Sequence, residues 1–501
     1  MSSFGCNTTT VSAPGKALIA GGYLVLESPN VGLVIGASSR FYTTIQQVSL
    51  DTTIQSSSSS SSTILHILVN SPQFHTKFQY KYNIDDNTLQ QDSDNGNEFV
   101  EKCLSLVLSF CRELLSHDKF KQDIIENYNN KQLCITLRAD NDFYSQIKEL
   151  HKKNLPLLSS SLLTIQRFNP CPIDPDTGKM EVAKTGMGSS AALTTSLVGA
   201  LLQWFGVVHL ENDSSSIESK RIIHNLSQLS HAIAQGKLGS GFDVAAAVYG
   251  TQMYRRFLAE GFTSCMEPDA SSKTIYDAVM DESKWGQTVK QFSLPSNMDI
   301  IMGDVCGGSS STSMARAVLQ WRKDQPDVAN EVWNTLANTN LELYQSFESL
   351  NELFSSNQEK YQNSLKNLSE QTYDDWLLSN DDLAKAFINI RQLFNKARSY
   401  LKRMGEGAGI EIEPNVQTNL ADASQAIPGV LCAGVPGAGG IDAIYAIVLS
   451  KEARNRVEKV WSLWGQDDTK TQQTMVCPLI LNAEGINNGG VRIEKEEFFN
   501  L

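Results

Sequence analysis

The chain has 501 residues, of which 41% are hydrophobic and 19% charged, a composition typical of packed cores and a length that allows about two or three domains. Its 42 basic and 55 acidic side chains give a formal charge of −13. That balance argues against a dedicated binder of nucleic acid or of an anionic membrane, because such phosphate contacts need clustered lysines and arginines.

The cysteines and the chain ends predict a protein of the cytoplasm. Nine cysteines without a C-x-x-C pair fit a reducing compartment better than a disulfide framework. Residues 1–10 lack the basic and apolar parts of a secretory signal, and the last residues are not the peroxisomal S-K-L. Residues 430–449 are the best candidate for a membrane span, but Asp442 would place a charge in the bilayer. We therefore expect no membrane association.

The first half of the chain begins with strands and continues through polar connections. Apolar runs at 17–20, 23–26 and 31–37, broken by Gly21-Gly22 and Pro29-Asn30, predict strands with tight turns within residues 8–50. Seven consecutive serines at 56–62 predict a flexible hairpin tip, and the polar residues 85–97 a surface loop. Four prolines within residues 154–178 indicate an irregular connection.

The remaining segments alternate between helix and strand patterns. The predicted helices cover residues 190–205, 217–235, 241–248, 310–322 and 451–464, with a mainly helical region continuing to about residue 404. The predicted strands cover residues 251–257, 298–305, 430–434, 443–449 and 475–481. This interleaving predicts an α+β protein with two lobes, residues 1–258 and 259–501.

The sharpest motif is a glycine-rich loop followed by a helix. It comprises Lys184, Thr185, Gly186, Met187, Gly188, Ser189, Ser190 and Ala191. The glycines permit close approach of the backbone, and the free N–H groups at the start of a helix favour an anion, which together describe a phosphate cradle. The alternative is an ordinary capped helix. Gly186, Gly188 and Ala191 also match the dinucleotide fingerprint, so an oxidoreductase stays a minority interpretation.

Three other segments carry candidate functional residues. Lys16 lies in an apolar strand, where an anion would offset the cost of its burial, although a lysine at a strand edge could instead reach solvent. Asp243 stands near the start of a helix of small residues, where it is either a dipole partner or a carboxylate beside a nucleophile. The loop that contains Gly437, Ala438, Gly439 and Gly440 predicts close approach to a ligand or to another loop.

Taken together, these motifs resemble the GHMP kinase superfamily, and within it the phosphomevalonate kinases of fungi. The segments that carry the resemblance are P-G-K-A-L-I-A-G-G-Y-L-V-L at 14–26, K-T-G-M-G-S-S-A at 184–191, A-Q-G-K-L-G-S-G-F-D-V-A-A-A at 234–247, Y-R-R-F at 254–257, E-P-N-V-Q-T at 413–418 and P-G-A-G-G at 436–440. They occur in the family's order, with Met187 in place of the usual leucine.

The resemblance implies a lobe like domain 2 of ribosomal protein S5, a ferredoxin-like second lobe and a site between them. It further implies transfer of the γ-phosphoryl group of ATP to 5-phosphomevalonate, with Mg²⁺, on the route to isoprenoids and sterols such as ergosterol. Residues 186–191 would hold the ATP phosphates, with Ser189 or Ser190 near the metal and Ser190 the preferred ligand. Lys16 and Asp243 would flank the acceptor phosphate, and residues 437–440 would close over the site.

One departure from mevalonate kinases concerns the acceptor. Where those enzymes have Q-G-E, this chain has Gln235-Gly236-Lys237, and a cation suits an acceptor that already carries a phosphate. The same argument makes Lys184, Arg255 and Arg256 candidates for neutralising phosphates, although solvated arginines are equally consistent with the sequence. Ser240 is a further candidate for binding the substrate. The remaining alternatives are another GHMP kinase, a mevalonate diphosphate decarboxylase and a catalytically silent sensor. The sequence leaves the oligomeric state open, as a monomer or a weak dimer.

Overall fold

The computed structural model describes residues 8–50, 63–92, 96–174, 176–211, 213–267, 270–305, 311–465, 475–484 and 489–495. The predicted serine tip at 56–62 lies outside these ranges. The described strands form two separate sheets, and helices pack beside both of them. The mixed content of a large sheet and many helices confirms the predicted α+β class.

The large sheet joins strands from distant parts of the sequence. Its strands are β1 (Thr8–Ala20), β2 (Gly32–Ser49), β3 (Ile64–Ser71), β4 (Thr76–Asn83), β5 (Thr88–Gln91), β6 (Lys131–Ala139), β7 (Gln252–Arg255), β8 (Thr288–Gln291) and β13 (Arg492–Ile493). The order is β13-β1-β2-β6-β3-β4-β5, while β7 pairs with β2 and with β8. Strands β3 and β6 are parallel, and the other pairs are antiparallel.

Helices from the first part of the chain pack beside this sheet, and two of them, residues 189–204 and 242–249, are mostly buried. They are α1 (Glu98–Leu114), α2 (His117–Tyr128), α3 (Ile147–Lys152), α4 (Ser159–Leu162), α5 (Ser189–Trp204), α6 (Asp213–Gln235), α7 (Phe242–Tyr249) and α8 (Ser272–Met280). Helix α5 lies directly on β1 and β2. Gly199 permits this close packing, since a Cβ there would lie 3.2 Å from Cγ1 of Val11.

The second sheet is smaller, and helices from the second half of the chain pack beside it. Its order is β10-β11-β9-β12, all antiparallel, with β9 (Asp299–Asp304), β10 (Val430–Gly434), β11 (Ala443–Val448) and β12 (Cys477–Pro478). The helices are α9 (Ser311–Asp324), α10 (Pro326–Ser356), α11 (Gln358–Leu368), α12 (Tyr373–Leu377), α13 (Asp382–Ala408), α14 (Asn415–Gln425) and α15 (Lys451–Leu463). Every residue of β11 is buried, as its continuous apolar run predicts.

Three sequence predictions need correction. Residues 24–26 form a 3₁₀ turn rather than a strand, because the apolar run is only one turn long and follows Tyr23 at a φ of 65°. The polar stretch 85–97 contains the short strand β5, whose backbone pairs with β4 whatever its side chains. Within 475–481, only residues 477 and 478 pair as a strand. The predicted helices and the strands at 251–257, 298–305, 430–434 and 443–449 are confirmed within a few residues.

The large sheet extends past residue 258, where we place the boundary between the lobes. Strand β8 pairs with β7, and β13 near the end of the described chain pairs with β1. A buried arginine fixes this return, since Arg40 forms an ion pair with Glu484 and donates to the carbonyl of Gly490. The division into residues 1–258 and 259–501 stays a prediction.

Candidate active site

Lys16 joins strand β1 to the glycine-rich loop. Its backbone N–H donates to the carbonyl of Met187 at 3.0 Å, and its side-chain Nζ donates to the carbonyl of Gly186 at 2.7 Å. The strand is irregular between Pro14 and Lys16. A Cβ on the intervening Gly15 would lie 2.8 Å from Cε of Met187, so a larger residue would push the loop away. The P-G-K segment therefore positions both the lysine and the loop.

The glycine-rich loop is anchored to the protein through Thr185 and Met187, while Gly186 is exposed. The hydroxyl of Thr185 donates to the carbonyl of Asp142 at 2.5 Å, and the Met187 side chain is only 1% exposed. Gly186 and Gly188 have φ of 76° and 75°, a region that other residues enter at a cost. Because Met187 is buried, only its backbone could contact a phosphate. Helix α5 begins at Ser189, so its first N–H groups and positive dipole end face the loop.

Asp243 and Lys16 both lie close to Gly188. A Cβ on Gly188 would be 3.1 Å from Cε of Lys16 and 3.8 Å from Cβ of Asp243. Helix α7 carries Asp243 in its first turn, behind Gly241 at a φ of 80°. A side chain on Gly241 would lie 2.8 Å from Oε1 of Gln228. The close approach of α6 thus requires a glycine there.

The charges of these two residues are coupled. Burial lowers the pKa of Lys16 below its ordinary value, and the carboxylate of Asp243 partly opposes this by favouring the ammonium. Nζ of Lys16 also lies 5.4 Å from the centre of the Phe242 ring. An anion bound beside Lys16 would favour the ammonium in the same way as Asp243 does.

His231 belongs to the site although the sequence analysis did not select it. Its Nε2 lies 3.1 Å from Oγ of Ser190, 3.1 Å from Nε2 of Gln235 and 4.0 Å from Oδ2 of Asp243. The ring is 4% exposed, and burial lowers its pKa, with Asp243 acting in the opposite direction. One signal was available, because His224, Gln228, His231 and Gln235 recur at the helical spacing i, i+4, i+7 and i+11. At about 100° per residue, that polar stripe lies on the opposite side of α6 from the apolar residues Ile222, Leu226 and Leu229.

The predicted basic residues occupy different environments. Lys184 and Lys237 are exposed, and the carbonyl of Ser240 accepts from the Tyr254 hydroxyl at 2.8 Å. Arg255 is partly exposed, and its buried Nε has no hydrogen-bond partner among the described residues.

Arg256 instead binds backbone carbonyls. Its guanidinium donates to Gly239 at 2.8 and 3.1 Å and to Leu26 at 2.8 Å. These bonds fix the loop before α7 against the turn after β1. The geometry indicates that Arg256 positions the loop, while a direct contact with phosphate stays a prediction.

The second glycine-rich loop docks onto β1 close to Lys16. The N–H of Gly437 donates to the carbonyl of Leu18 at 2.9 Å, and the Tyr23 hydroxyl donates to the carbonyl of Ala438 at 2.6 Å. Gly439 is required by a neighbouring loop, since a Cβ there would lie 2.0 Å from the carbonyl oxygen of Ile412. Gly440 donates to that same oxygen at 2.8 Å. The density of glycines here is explained by contact between loops.

The donor set near Ser190 suits a metal carried by a phosphate ligand. The described residues contain no group of three or more His, Cys, Asp or Glu side chains placed to hold a metal ion. Mg²⁺ prefers oxygen ligands and is commonly bound through substrate phosphates with few protein groups. The partly exposed hydroxyl of Ser190 fits that requirement.

In the described ranges, no helix has the length and apolar character needed to cross a bilayer.

The dinucleotide interpretation does not fit the structure. A dinucleotide fingerprint follows directly on a parallel strand of a βαβ unit. Among the described residues, the segment before Gly186 contributes two isolated antiparallel bridges, Lys184 with Tyr144 and Met180 with Ile173. The match of Gly186, Gly188 and Ala191 therefore reflects a glycine turn before a helix, and the dehydrogenase alternative is wrong.

Comparisons with known proteins agree with this geometry. The family model for the GHMP kinases N terminal domain matches residues 161–251. Among solved structures, the Streptococcus pneumoniae phosphomevalonate kinase in complex with phosphomevalonate and AMPPNP has a TM-score of 0.53, with 14% identity over 90% of this chain and 96% of that one. A Lin0012 protein from Listeria innocua has a TM-score of 0.60, with 16% identity over 98% and 100% of the two chains. These structures show the fold.

Curated relatives share the sequence itself over most of its length. The peroxisomal phosphomevalonate kinase of Arabidopsis thaliana is 36% identical over 90% of this chain and 92% of its own. The phosphomevalonate kinase of Candida albicans is 32% identical over 89% of this chain and 91% of its own. The resemblance found in the motifs thus extends through both sheets, and the chain belongs to the phosphomevalonate kinases of the GHMP kinase superfamily.

Proposed function

We propose that the protein transfers the γ-phosphoryl group of ATP to the phosphate of 5-phosphomevalonate, giving 5-diphosphomevalonate and ADP. The observation that carries this proposal is that Lys16 and Asp243 both lie close to Gly188, directly at the start of helix α5. Phosphoryl transfer needs an anion cradle, a cation over the moving charge and a group that orients the acceptor. Membership of the family supplies the identity of the substrates.

The loop and the start of α5 would hold the nucleotide phosphates. The backbone N–H groups of Gly186, Met187, Gly188, Ser189, Ser190 and Ala191 would bind them, and the exposed ammonium of Lys184 would add a positive charge. Mg²⁺ would be bound by the ATP phosphates and the Ser190 hydroxyl. When bound, it neutralises charge on the phosphates.

Asp243 has less proton chemistry to perform than in an alcohol kinase. The acceptor is a phosphate monoester with a second pKa of about 6, so it is largely ionised at pH 7. Asp243 therefore mainly orients Lys16 and the acceptor. Lys16 supplies the charge that stabilises the transferred phosphoryl group.

The acceptor would lie between the loop before α7 and the second glycine-rich loop. Lys237, Ser240 and Arg255 would bind its phosphate, and Arg256 would hold Gly239 in place. Residues Gly437, Ala438, Gly439 and Gly440 would close this side, since they dock on β1 two residues beyond Lys16.

A coupled ADP-release assay tests the assignment. Mevalonate, 5-phosphomevalonate and 5-diphosphomevalonate are offered in turn with ATP and Mg²⁺, and 5-phosphomevalonate is expected to give the highest kcat/KM. Activity on mevalonate but not on its phosphate would identify a mevalonate kinase instead. No ADP release with any of the three, together with intact ATP binding, would favour the catalytically silent sensor.

The cellular setting follows from the same reaction. The product would enter isoprenoid and sterol synthesis, ergosterol included where the cell makes it. We place the enzyme in the cytoplasm as a monomer or weak dimer, bound to neither nucleic acid nor membrane, although the Arabidopsis relative is named as peroxisomal. Fluorescence microscopy of a tagged chain distinguishes a cytoplasmic from a peroxisomal location, and sedimentation gives the oligomeric state.

A further inference from the structure

His231 connects the proposed metal ligand to the rest of the site. It projects from the last turns of α6, and its Nε2 faces the Ser190 hydroxyl at 3.1 Å. The same nitrogen lies 3.1 Å from the side-chain nitrogen of Gln235, one turn further along the helix. The Phe99 ring packs beside the imidazole with 5.4 Å between ring centres. The side chain is thus held in one orientation by a packed ring and by polar contacts.

With the Gln235 amide in the orientation that the structure gives it, these contacts favour one direction for the hydrogen bonds. The amide nitrogen of Gln235 is a donor only, so the Nε2 of His231 that faces it is an acceptor. The hydroxyl of Ser190 faces the same nitrogen, so it would donate its proton to the single lone pair of Nε2, which it shares with Gln235. A serine oxygen that has committed its proton in this way keeps its lone pairs for another partner.

Ser189 lacks this arrangement. It is 9% exposed, and its side chain hydrogen bonds to the hydroxyl of Tyr144. Ser190 is the more exposed of the two and is the one that contacts a buried imidazole. The two neighbouring serines therefore differ in their surroundings. Ser189 is packed against Tyr144, whereas the more exposed Ser190 is the better candidate for contact with a ligand.

We infer that His231 is a positioning residue for the metal–nucleotide complex. By accepting the proton of the Ser190 hydroxyl, it leaves the lone pairs of that oxygen available to a magnesium ion carried by ATP. Groups that orient a metal ligand through a hydrogen bond commonly change metal affinity by about 10–100-fold when they are replaced. This inference rests on the proposed function, in which ATP and Mg²⁺ are bound here.

The alternative is that His231 only fills the core. A second histidine of the same helix provides the comparison, since His224 is fully buried and hydrogen bonds to Asn225 at 3.0 Å. His224 contacts none of the proposed site residues in the described structure. His231→Leu and His224→Leu therefore remove equivalent rings from one helix, but only the first removes an acceptor for Ser190.

The test measures metal binding rather than turnover. Mn²⁺ replaces Mg²⁺ as a spectroscopic probe, and its affinity for the enzyme–ADP complex is measured by electron paramagnetic resonance. ADP affinity without metal is measured by calorimetry. We expect His231→Leu to weaken Mn²⁺ binding about 10-fold or more, with metal-free ADP binding unchanged. His231→Gln, whose amide oxygen can replace Nε2 as acceptor, is expected to restore Mn²⁺ affinity, and His224→Leu to leave it unchanged.

A double variant distinguishes positioning from general damage. If His231 acts through Ser190, adding His231→Leu to Ser190→Ala causes no further loss of Mn²⁺ affinity. Equal losses in His231→Leu and His224→Leu, failure of the glutamine variant to restore affinity, or additive losses in the double variant would overturn the inference. If His231→Leu does not fold, His231→Asn, whose amide is too short to reach Ser190, takes its place. The proposed function is judged separately, by substrate turnover of the wild-type chain.

Discussion

The side-chain amine of Lys16 donates a 2.7 Å hydrogen bond to the backbone carbonyl of Gly186. This contact links strand β1 to the glycine-rich loop before any ligand is considered. It also orients the peptide after Gly186 so that its carbonyl points to Lys16. An incoming phosphate would share or replace this carbonyl as the partner of the ammonium.

Replacing Lys16 by methionine tests its role in charge stabilisation. The methionine keeps much of the length and apolar character of the lysine but lacks the charge. Loss of one group that stabilises charge in the transition state typically costs about 10²–10³-fold in kcat. We expect a loss of that size in the ADP-release assay, while Lys131→Met, on strand β6, serves as the unaffected control. Near-normal turnover of Lys16→Met, combined with loss of activity in Asp243→Ala, would reverse the roles given to these two residues.

The coupling between Lys16 and Asp243 predicts a shift in the pH profile. Burial lowers the pKa of Lys16, and Asp243 raises it. Asp243→Asn removes the second effect, so Lys16 loses its proton at a lower pH than in the wild type. We expect the basic limb of the kcat–pH profile to move to lower pH and kcat at pH 7 to fall less than in Lys16→Met. An unchanged basic limb would mean that Lys16 does not control it.

Two glycines of the phosphate loop offer a matched pair of substitutions. Gly186 and Gly188 have nearly equal φ of 76° and 75°, so alanine at either position carries a similar backbone cost of about 1–2 kcal/mol. Only Gly188→Ala places a Cβ 3.1 Å from Lys16, whereas no atom lies within 4 Å of a Cβ at Gly186. Urea unfolding is expected to show similar losses of stability. In the ADP-release assay, Gly188→Ala should lose more kcat than Gly186→Ala, and the opposite order would contradict the placement of Lys16.

The sequence was informative where function depends on backbone shape. Glycines, a lysine in an apolar strand and an aspartate opening a helix are local features, and the structure brings Lys16, Gly188 and Asp243 together. His231 was missed because a polar stripe on a helix does not indicate which distant hydroxyl its histidine faces. The partners of Arg256 could not be predicted either, because every residue has a backbone carbonyl and the sequence does not show which ones accept. The return of residues 492–493 to the edge of β1 depends on contacts across most of the chain, which no local pattern encodes.

Replacing Arg255 and replacing Arg256 are expected to have different effects on the protein. Arg256→Met removes charged hydrogen bonds to the carbonyls of Gly239 and Leu26, and we expect the free energy of unfolding to fall by about 2–3 kcal/mol. Arg255→Met removes a side chain that makes no such bonds to these carbonyls, so stability should change little. If Arg255 binds the acceptor phosphate, its loss raises the KM for 5-phosphomevalonate and leaves the KM for ATP unchanged.

Urea unfolding and initial-rate kinetics on the same two preparations separate these effects. Unchanged stability of Arg256→Met would show that its carbonyl contacts do not hold the loop before α7. An unchanged KM for 5-phosphomevalonate in Arg255→Met would remove Arg255 from the acceptor site. Because the two residues are neighbours on one strand end, their side chains leave the backbone in different directions. That alternation is the physical reason why one arginine can hold the loop while the other remains available to the substrate.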